Sequence, residues 1–479
     1  MEQKKILEAI NLLIGLVGKE RVKFDQTSMI IYAKDIFIPG YVDLRLGQTP
    51  RTLLPAAVCF PQSTEEVAKI VSRLRKNNIP LVAYGAGSGV LAAAAPVHGE
   101  VILDLKRMNK VRSINRVNHT CEAEAGIIGQ DLERELNKAG FTLGHFPSSI
   151  YCSTLGGWLS TRSAGQLSAK YGKVEDMVIA LEGVLADGSV FRTRATPRAA
   201  TGPDLDQVLV GAEGTLGIIT AALLSISPLP AAQIYRGFGF DNVDGGLEAM
   251  RVLIQKELVP ALLRLYDPLD TRFNAKKLSG PETGCLLVAG YEGANKELTE
   301  LKARLGFKLL QDKGGKDLGE EPGKQWLTHR YSVSYNQSKI LAEPANLLDT
   351  IEVSVNWRDA AELSRKVMAG ISRVGLVMAH FSHGWRDGVC IYFSFLVKEP
   401  GENQEKLIEK HAQAWDAAMD ACLEMGASIS HHHGIGIHRA KWLKKELGAG
   451  HQILNKIKNE IDPQSIFNPG KLGLGERKE

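Results

Sequence analysis

Long apolar runs, paired cysteines and an excess of one charge are all missing from this 479-residue sequence. No stretch approaches the roughly 20 consecutive apolar residues that span a bilayer, and no small-residue cleavage site follows the charged N-terminus, so we expect neither a membrane span nor a signal peptide. The six cysteines are widely separated and lack metal-ligand spacing, which indicates reduced thiols in the cytoplasm. Because 58 basic residues are balanced by 54 acidic ones, we expect no nucleic-acid partner.

The length of the chain and its alternating strand and helix patterns predict an α+β protein of two or three domains. Residues 1–50 are predicted to form a helical lead-in, and residues 51–230 a first domain that ends at two prolines. Residues 231–455 alternate strands with long amphipathic helices and are predicted to form a second α+β domain. Residues 456–479 form a tail.

Several local signals predict individual elements. Ser63 is placed as the N-cap of a helix whose first turn is acidic. A helix over 130–140 is predicted to end at its glycine, and Asp187-Gly188 is predicted to form a hairpin turn. The clearest amphipathic helix covers 403–425.

Three glycine-rich turns in the first domain are candidates for binding one phosphorylated ligand. YGAGSGV at 84–90 follows an apolar strand, and glycines there would let backbone N–H groups approach a phosphate. An ordinary tight turn is the alternative for this loop alone, and a Rossmann site is disfavoured because Val90 and Ala92 break the GxGxxG spacing. STLGGWLSTRSAG at 153–165 and GAEGTLGIIT at 211–220 strengthen the ligand interpretation.

The combination of PLVAYGAGSGV, FPSS, STLGGWLSTRSAG, YGKVEDMV, VGAEGTLGIIT and the tail DPQSIFNPGKL resembles the FAD-linked oxidase superfamily. The resemblance implies a two-subdomain FAD-binding domain, a substrate or cap domain after it, and a tail that returns to the FAD domain. Residues 84–90 contain no histidine to tether a flavin, so we expect non-covalent FAD. The implied FAD contacts are Gly85, Ala86, Gly87, Ser88, Gly89, Val90, Pro147, Ser148, Ser149, Thr154, Gly156, Gly157, Thr161, Ser163, Glu213, Gly214 and Ile219.

A metal site is the first interpretation of SISHHHGIGIH, residues 428–438. Relatives that resemble D-2-hydroxy-acid dehydrogenases bind a divalent cation through two histidines and a glutamate. Here His383 matches the first ligand, but Tyr392 stands at the second and His432 at the glutamate. Two of three ligands are changed, so no metal is expected, although a different set of His383, His432 and His433 remains an alternative.

The same substitutions, with PALLRLYD and CIYFSF, resemble the alkyldihydroxyacetone-phosphate synthases. That resemblance implies exchange of the acyl group of acyl-dihydroxyacetone phosphate for a fatty alcohol, through a substrate adduct at flavin N5 and without net oxidation. It assigns Tyr392 as the acid/base, Arg264 as an active-site arginine and His431, His432 and His433 as partners of the tyrosine. We expect the histidine row to lower the phenol pKa towards neutrality. Arg162 and His383 are assigned to substrate binding.

Each assignment has a structural alternative. Tyr392 could be a core tyrosine and Arg264 a surface ion-pair residue, while His438 is predicted to start a solvated helix. The competing functions are FAD-dependent oxidation of a 2-hydroxy acid, such as lactate or glycolate, and a flavin-binding scaffold subunit without turnover. We expect a small-molecule or lipid substrate, and the sequence leaves open peripheral membrane contact and a homodimer.

Overall fold

The lead-in helix packs on the first domain. The computed structural model describes residues 3–45, 54–281, 284–332, 340, 342–401 and 403–477, so the predicted boundary between residues 50 and 51 lies outside the described residues. The N-terminal helix buries Ala9, Leu13 and Val17, which join the core of the first sheet. Its 3.6-residue periodicity therefore serves packing.

The helices of the described residues are numbered in chain order. They are α1 Gln3–Val17, α2 Gln26–Tyr32, α3 Ile38–Arg45, α4 Thr64–Lys76, α5 Gly129–Lys138, α6 Leu155–Thr161, α7 Ser168–Tyr171, α8 Val174–Met177, α9 Leu205–Leu209, α10 Val243–Gln255, α11 Pro268–Leu278, α12 Lys296–Asp312, α13 Glu321–His329, α14 Ala360–Ile371, α15 Gln404–Met425, α16 Ala440–Leu447 and α17 Ala449–Ile461.

The strands are β1 Val22–Lys23, β2 Ala57–Cys59, β3 Leu81–Tyr84, β4 Val101–Asp104, β5 Val111–Asn115, β6 Thr120–Glu124, β7 Phe141–Thr142, β8 Val178–Val184, β9 Val190–Arg192, β10 Ile218–Ser225, β11 Ser227–Pro228, β12 Ala232–Phe240, β13 Leu262–Tyr266, β14 Cys285–Gly293, β15 Lys316–Asp317, β16 Asn346–Asn356, β17 Gly375–Gly384 and β18 Gly388–Lys398.

Two larger sheets, with a short two-stranded sheet of β7 and β11, make up the first half of the chain in the described residues. The first has the order β1-β2-β4-β3 and the second the order β5-β6-β10-β8-β9. The C-terminal tail returns to the first sheet, because the N–H of Leu81 donates to the carbonyl of Ile466 at 2.8 Å and the N–H of Asn468 donates to the carbonyl of Leu81 at 2.8 Å. The return of the tail, predicted from the resemblance, is confirmed.

A seven-stranded antiparallel sheet forms the second half, in the order β15-β12-β14-β13-β17-β18-β16. Its strands send alternate side chains to opposite faces. One face carries apolar residues such as Leu265, Phe381 and Phe393, which pack with α10, α12, α14 and α15 into the main core. On the opposite face, α11 and α13 cover the β12, β14 and β13 side. The remaining part of that face is polar.

The predicted α+β class and several local signals are confirmed. Ser63 caps α4 by accepting from the N–H of Glu66 at 3.2 Å. The helix predicted over 403–425 is α15, capped by Asn403. The helix predicted over 130–140 is α5, which ends two residues before Gly140. Across the described residues, no helix is both long and apolar enough to cross a membrane.

Candidate active site

The candidate site lies on the polar face of the seven-stranded sheet. The pairing register aligns Tyr392 with His380 on one side and with Glu352 on the other. Because side chains alternate along each strand, residues two apart share this face. The polar face therefore combines Arg264, Thr350, Glu352, Ser354, His380, Ser382, Cys390, Tyr392 and Ser394.

Tyr392 lies in the middle of this face. Its ring stacks on that of His380, with centroids 4.8 Å apart and an interplanar angle of 13°, and its hydroxyl donates to Thr350 Oγ1 at 3.1 Å. Burial raises the pKa of Tyr392 to about 12, although the hydrogen bond between its hydroxyl and Thr350 acts to lower it. The phenol is therefore protonated at neutral pH.

Arg264 is partly buried next to His380, on which Tyr392 stacks, and it forms no ion pair with another described residue. Its Nη2 is 2.6 Å from His380 Nε2, and His380 Nδ1 is 3.2 Å from Asp270 Oδ2. Because the guanidinium can only donate, His380 Nε2 accepts, and the proton of the neutral ring lies on Nδ1 facing Asp270. Arg264 Nε is buried and has no hydrogen-bond partner among the described residues.

The histidine segment, residues 431–433, lies over the polar face and is held there through its backbone. The buried carboxylate of Glu352 accepts from the N–H of His431 by a very short hydrogen bond, from the N–H of His432 at 3.2 Å and from the N–H of His433 at 2.9 Å. Arg439 Nη1 donates to the same carboxylate at 2.7 Å, and both side chains are fully buried. Three consecutive residues are thus fixed by one side chain.

The charge of Glu352 is well compensated. Burial acts to raise its pKa, but Arg439, His433, His431 and the backbone N–H groups outweigh burial and hold the pKa at about 2. A second buried carboxylate, Glu213, accepts from the N–H groups of Ile435 and Gly436 at 2.6 and 2.8 Å. Two carboxylates therefore determine where the chain from 431 to 436 runs.

The side chains of the histidine segment are neutral at physiological pH. Burial lowers the pKa of His431 to about 3, and burial also lowers the pKa of His432 and His433. The prediction that this row lowers the pKa of Tyr392 is therefore wrong: the histidines carry no charge, and the burial they share with the tyrosine acts in the opposite direction. They remain close, with ring centroids 6.0 Å from Tyr392 for His432 and 5.6 Å for His433.

His383 joins the cluster from the end of β17. It has a φ of 51°, which turns the chain at a bulge in the β17–β18 pairing. Its Nδ1 is 2.8 Å from Ser168 Oγ, and its ring stacks on His431 with centroids 5.5 Å apart. The ring of Trp385 packs against that of His431, with centroids 4.8 Å apart.

The glycine loop at residues 85–89 has the properties of a pyrophosphate cradle. It follows β3, and the backbone N–H groups of Ala86, Gly87, Ser88 and Gly89 donate no hydrogen bond to another described residue. Free N–H groups in a glycine turn attract an anion. The loop also meets the second glycine turn, because a Cβ on Gly85 would lie 2.3 Å from Thr154 Oγ1. The residues present therefore fit the FAD that the resemblance implies.

The other residues expected to contact FAD differ in their burial and in their hydrogen-bond partners. Thr154 caps α6 by accepting from the N–H of Gly157 at 3.2 Å. Glu213 uses both oxygens on the backbone after the histidine segment, and Ile219 lies in the core of the second sheet. In this set Ser148 is exposed, and Pro147 and Ser163 are buried. The partly exposed members are Gly85, Ala86, Gly87, Ser88, Gly89, Val90, Ser149, Gly156, Gly157, Thr161 and Gly214.

Arg162 lies outside the histidine cluster. It ends α6 with a φ of 52°, its side chain is 45% exposed, and it contacts Gln207 Oε1 at 2.7 Å and Glu175 at 3.6 Å. Its predicted role in substrate binding stays a prediction. His438 was predicted to start a solvated helix, and this is wrong: its ring packs edge-on against Trp415 with centroids 4.5 Å apart, and Arg439 beside it is fully buried.

Sequence reasoning missed the groups that organise the site. Glu352 lies 87 residues from its partner Arg439, and Asp270 lies 110 residues from His380. Glu352 gives one weak signal, because a charged residue at an alternating position of the strand IEVSV is atypical of a buried strand. Nothing local connects it to Arg439.

We expect Gly85→Ala to weaken FAD binding strongly. The new Cβ would meet Thr154 Oγ1 at 2.3 Å, so the glycine loop and the second turn must separate. The measurement is the flavin-to-protein absorbance ratio after purification, followed by titration with added FAD. Gly450→Ala is the matched control, because its Cβ would meet only Leu447 Cβ at 3.7 Å; equal flavin content in the two variants would contradict the role of the loop.

Comparison with known proteins agrees with this geometry. Residues 55–194 match the FAD binding domain family, and residues 229–472 match the C-terminal domain of FAD linked oxidases. An alkyldihydroxyacetonephosphate synthase from Dictyostelium discoideum is 31% identical, with 98% of this chain and 81% of that protein covered. The synthase from Caenorhabditis elegans is 32% identical, covering 90% and 78%. A solved alkyldihydroxyacetonephosphate synthase structure superposes with a TM-score of 0.81 at 28% identity, covering 97% and 84%.

The fold, the glycine loop and these matches define an FAD-dependent enzyme, and the predicted cofactor is confirmed. The chain belongs to the FAD-linked oxidase family, in the branch that contains the alkyldihydroxyacetonephosphate synthases.

Proposed function

We propose that this enzyme exchanges the acyl group of acyl-dihydroxyacetone phosphate for a fatty alcohol. The observation that carries the proposal is the pairing of Tyr392 with the neutral histidine segment at the place where hydroxy-acid dehydrogenases are expected to hold a metal. A protonated phenol among uncharged imidazoles can move a proton without a metal. The similarity to the synthases, which cover nearly the whole chain, supports the same reaction.

The proposed roles follow from position and charge. Tyr392, protonated at neutral pH, donates and recovers a proton, with Thr350 Oγ1 orienting its hydroxyl. Arg264, whose Nε has no partner among the described residues, supplies positive charge for the substrate phosphate. His383, whose ring packs against His431 and His432, is proposed to contact the substrate beside them. Bound FAD would supply the reactive ring system, held by the glycine loop. The exchange involves no net oxidation, since an alcohol enters and a fatty acid leaves.

FAD-dependent oxidation of a 2-hydroxy acid is the alternative within the same family. It would need a carboxylate-binding centre, for which Arg264 and His383 remain available, but a phenol at 392 and an imidazole at 432 replace two expected metal ligands. A scaffold without turnover is the third hypothesis.

An anaerobic flavin spectrum separates these functions. We expect acyl-dihydroxyacetone phosphate to perturb the spectrum without full bleaching, and added fatty alcohol to give the ether product by mass spectrometry. Bleaching by lactate or glycolate would support oxidation instead. No product and no spectral response from flavin-loaded protein would contradict both activities.

The proposed substrates are lipids, so we include peripheral contact with a membrane surface in the proposal. Cytoplasmic location, non-covalent FAD and a homodimer stay predictions. Acid precipitation tests the flavin linkage, because non-covalent FAD is released into the supernatant.

A further inference from the structure

A thiol lies beneath the histidine segment. Cys390 is fully buried on the polar face, two residues before Tyr392. Its Sγ and one ring nitrogen each of His431 and His432 all lie within 4.8 Å of one another. We propose that these three side chains form a binding site for a thiophilic divalent cation such as Zn²⁺, and that the bound ion reversibly inhibits the enzyme.

The spacing is close to what zinc requires. Bond lengths of about 2.0–2.3 Å place the ligand atoms of a tetrahedral site about 3.3–3.6 Å apart. The Nδ1 atoms of His431 and His432 are 2.8 Å apart, so they need to separate by only about half an ångström to share one ion. Two imidazoles and a thiolate are ligands that favour zinc over magnesium or calcium. Water would take the remaining position.

Two ring nitrogens at and beside the proposed site also lack partners among the described residues. His431 Nε2 and His433 Nδ1 are buried and have no hydrogen-bond partner among the described residues. Buried polar atoms are normally satisfied. The segment therefore presents ring nitrogens that hydrogen bonds among the described residues do not use fully.

The surrounding charges favour reversible binding. Glu352 Oε2 lies 3.9 Å from His432 Nδ1 and would face the cation, but Arg439 already pairs with that carboxylate. Lys173, which donates to the carbonyl of His431, is paired with Glu175 at 2.9 Å. Because the described residues place no unpaired carboxylate at the three ligands, the site has less negative charge than a structural zinc centre. We expect binding in the micromolar range rather than permanent occupancy.

This ligand set differs from the alternative set that the sequence offered, His383, His432 and His433. Cys390 and His431 contribute instead of His383 and His433. An ion there would fix His432, whose ring lies 6.0 Å from that of Tyr392. The inhibition part of the inference rests on the proposed function, whereas the binding part does not.

Calorimetric titration of FAD-loaded protein with ZnCl₂ tests binding. A Cys152→Ser background removes the exposed thiol. We expect one equivalent to bind, at least a tenfold weaker affinity in Cys390→Ser and in His431→Gln, and no change in Cys422→Ser, which alters a buried thiol in the main core. Unchanged affinity in Cys390→Ser, or binding lost equally in Cys422→Ser, would overturn the site.

The activity measurement separates this inference from the proposed function. One equivalent of Zn²⁺ should stop acyl exchange, and EDTA should restore it. Stoichiometric Zn²⁺ binding without any exchange activity would support the metal site and contradict the synthase reaction. Exchange that continues with the site saturated would overturn the inhibitory role.

Discussion

Replacing Tyr392 with phenylalanine should lower acyl exchange by about 100-fold or more, because proton transfer by a positioned side chain contributes on that scale. The hydroxyl makes one hydrogen bond, to Thr350 Oγ1, so the fold should lose only about 1 kcal/mol. Flavin content should stay normal, since Tyr392 lies in β18 of the seven-stranded sheet and not in the glycine loop. Turnover of purified, flavin-loaded variant is the measurement.

Tyr291→Phe is the matched control for this experiment. Tyr291 is also a buried tyrosine of the seven-stranded sheet, and its hydroxyl donates to the carbonyl of Leu258 at 2.7 Å, on the core side of that sheet. It should lose similar stability and keep its turnover. If both variants retain full activity, Tyr392 is a core residue and another group moves the proton.

Replacing Glu352 with glutamine should destabilise the protein by about 3 kcal/mol or more, the scale expected when one partner of a buried ion pair is removed. Arg439 would be left buried without its counter-charge. The amide has only one acceptor oxygen for the three backbone N–H groups of the histidine segment. Exchange activity should fall too, because the imidazoles are positioned through that backbone. Urea unfolding and turnover are the measurements.

Two further variants distinguish the ion pair from ordinary burial. Glu292→Gln alters a buried carboxylate that accepts from the Tyr171 and Tyr235 hydroxyls and the Gln233 amide, and that forms no ion pair within 4.0 Å among the described residues. It should cost less, about 1–2 kcal/mol. Adding Arg439→Met to Glu352→Gln should recover part of the stability, since the uncompensated charge is removed. Equal losses at 292 and 352 would contradict the importance of the pair.

Acid should reproduce part of the loss in unfolding free energy that we expect for Glu352→Gln. The folded pKa of about 2 lies below the value of about 4.3 for an unfolded glutamate. The group therefore contributes its stabilisation fully above about pH 5, and this contribution falls as pH drops towards 2, by about 3 kcal/mol in total. Comparing urea unfolding at pH 6 and pH 3.5 should show a smaller pH effect in Glu352→Gln than in the unaltered protein. A pH effect of the same size in both would assign the acid sensitivity to other carboxylates.

Local patterns determined much of what is now known about this protein. The α+β class, the cap at Ser63 and the long helix α15 follow from periodicity and capping, which act within a few residues. The glycine loop was recognisable because its conformation depends on its own residues. Tyr392 and the histidine segment were recognisable as candidate site residues because Tyr392 and His432 replace the expected metal ligands of the hydroxy-acid dehydrogenases.

Tertiary structure decided how those residues are charged and held. Glu352 and Arg439 are 87 residues apart, so no local pattern could pair them. The neutral state of the histidines follows from burial against the sheet, which reverses the expectation drawn from their pKa in water. Arg162 and His438 were placed by partners from other elements. The sequence by itself determined which chemical groups are present. The packing of the seven-stranded sheet with the rest of the chain decided which of these groups meet, because burial and long-range pairing arise only in the folded chain.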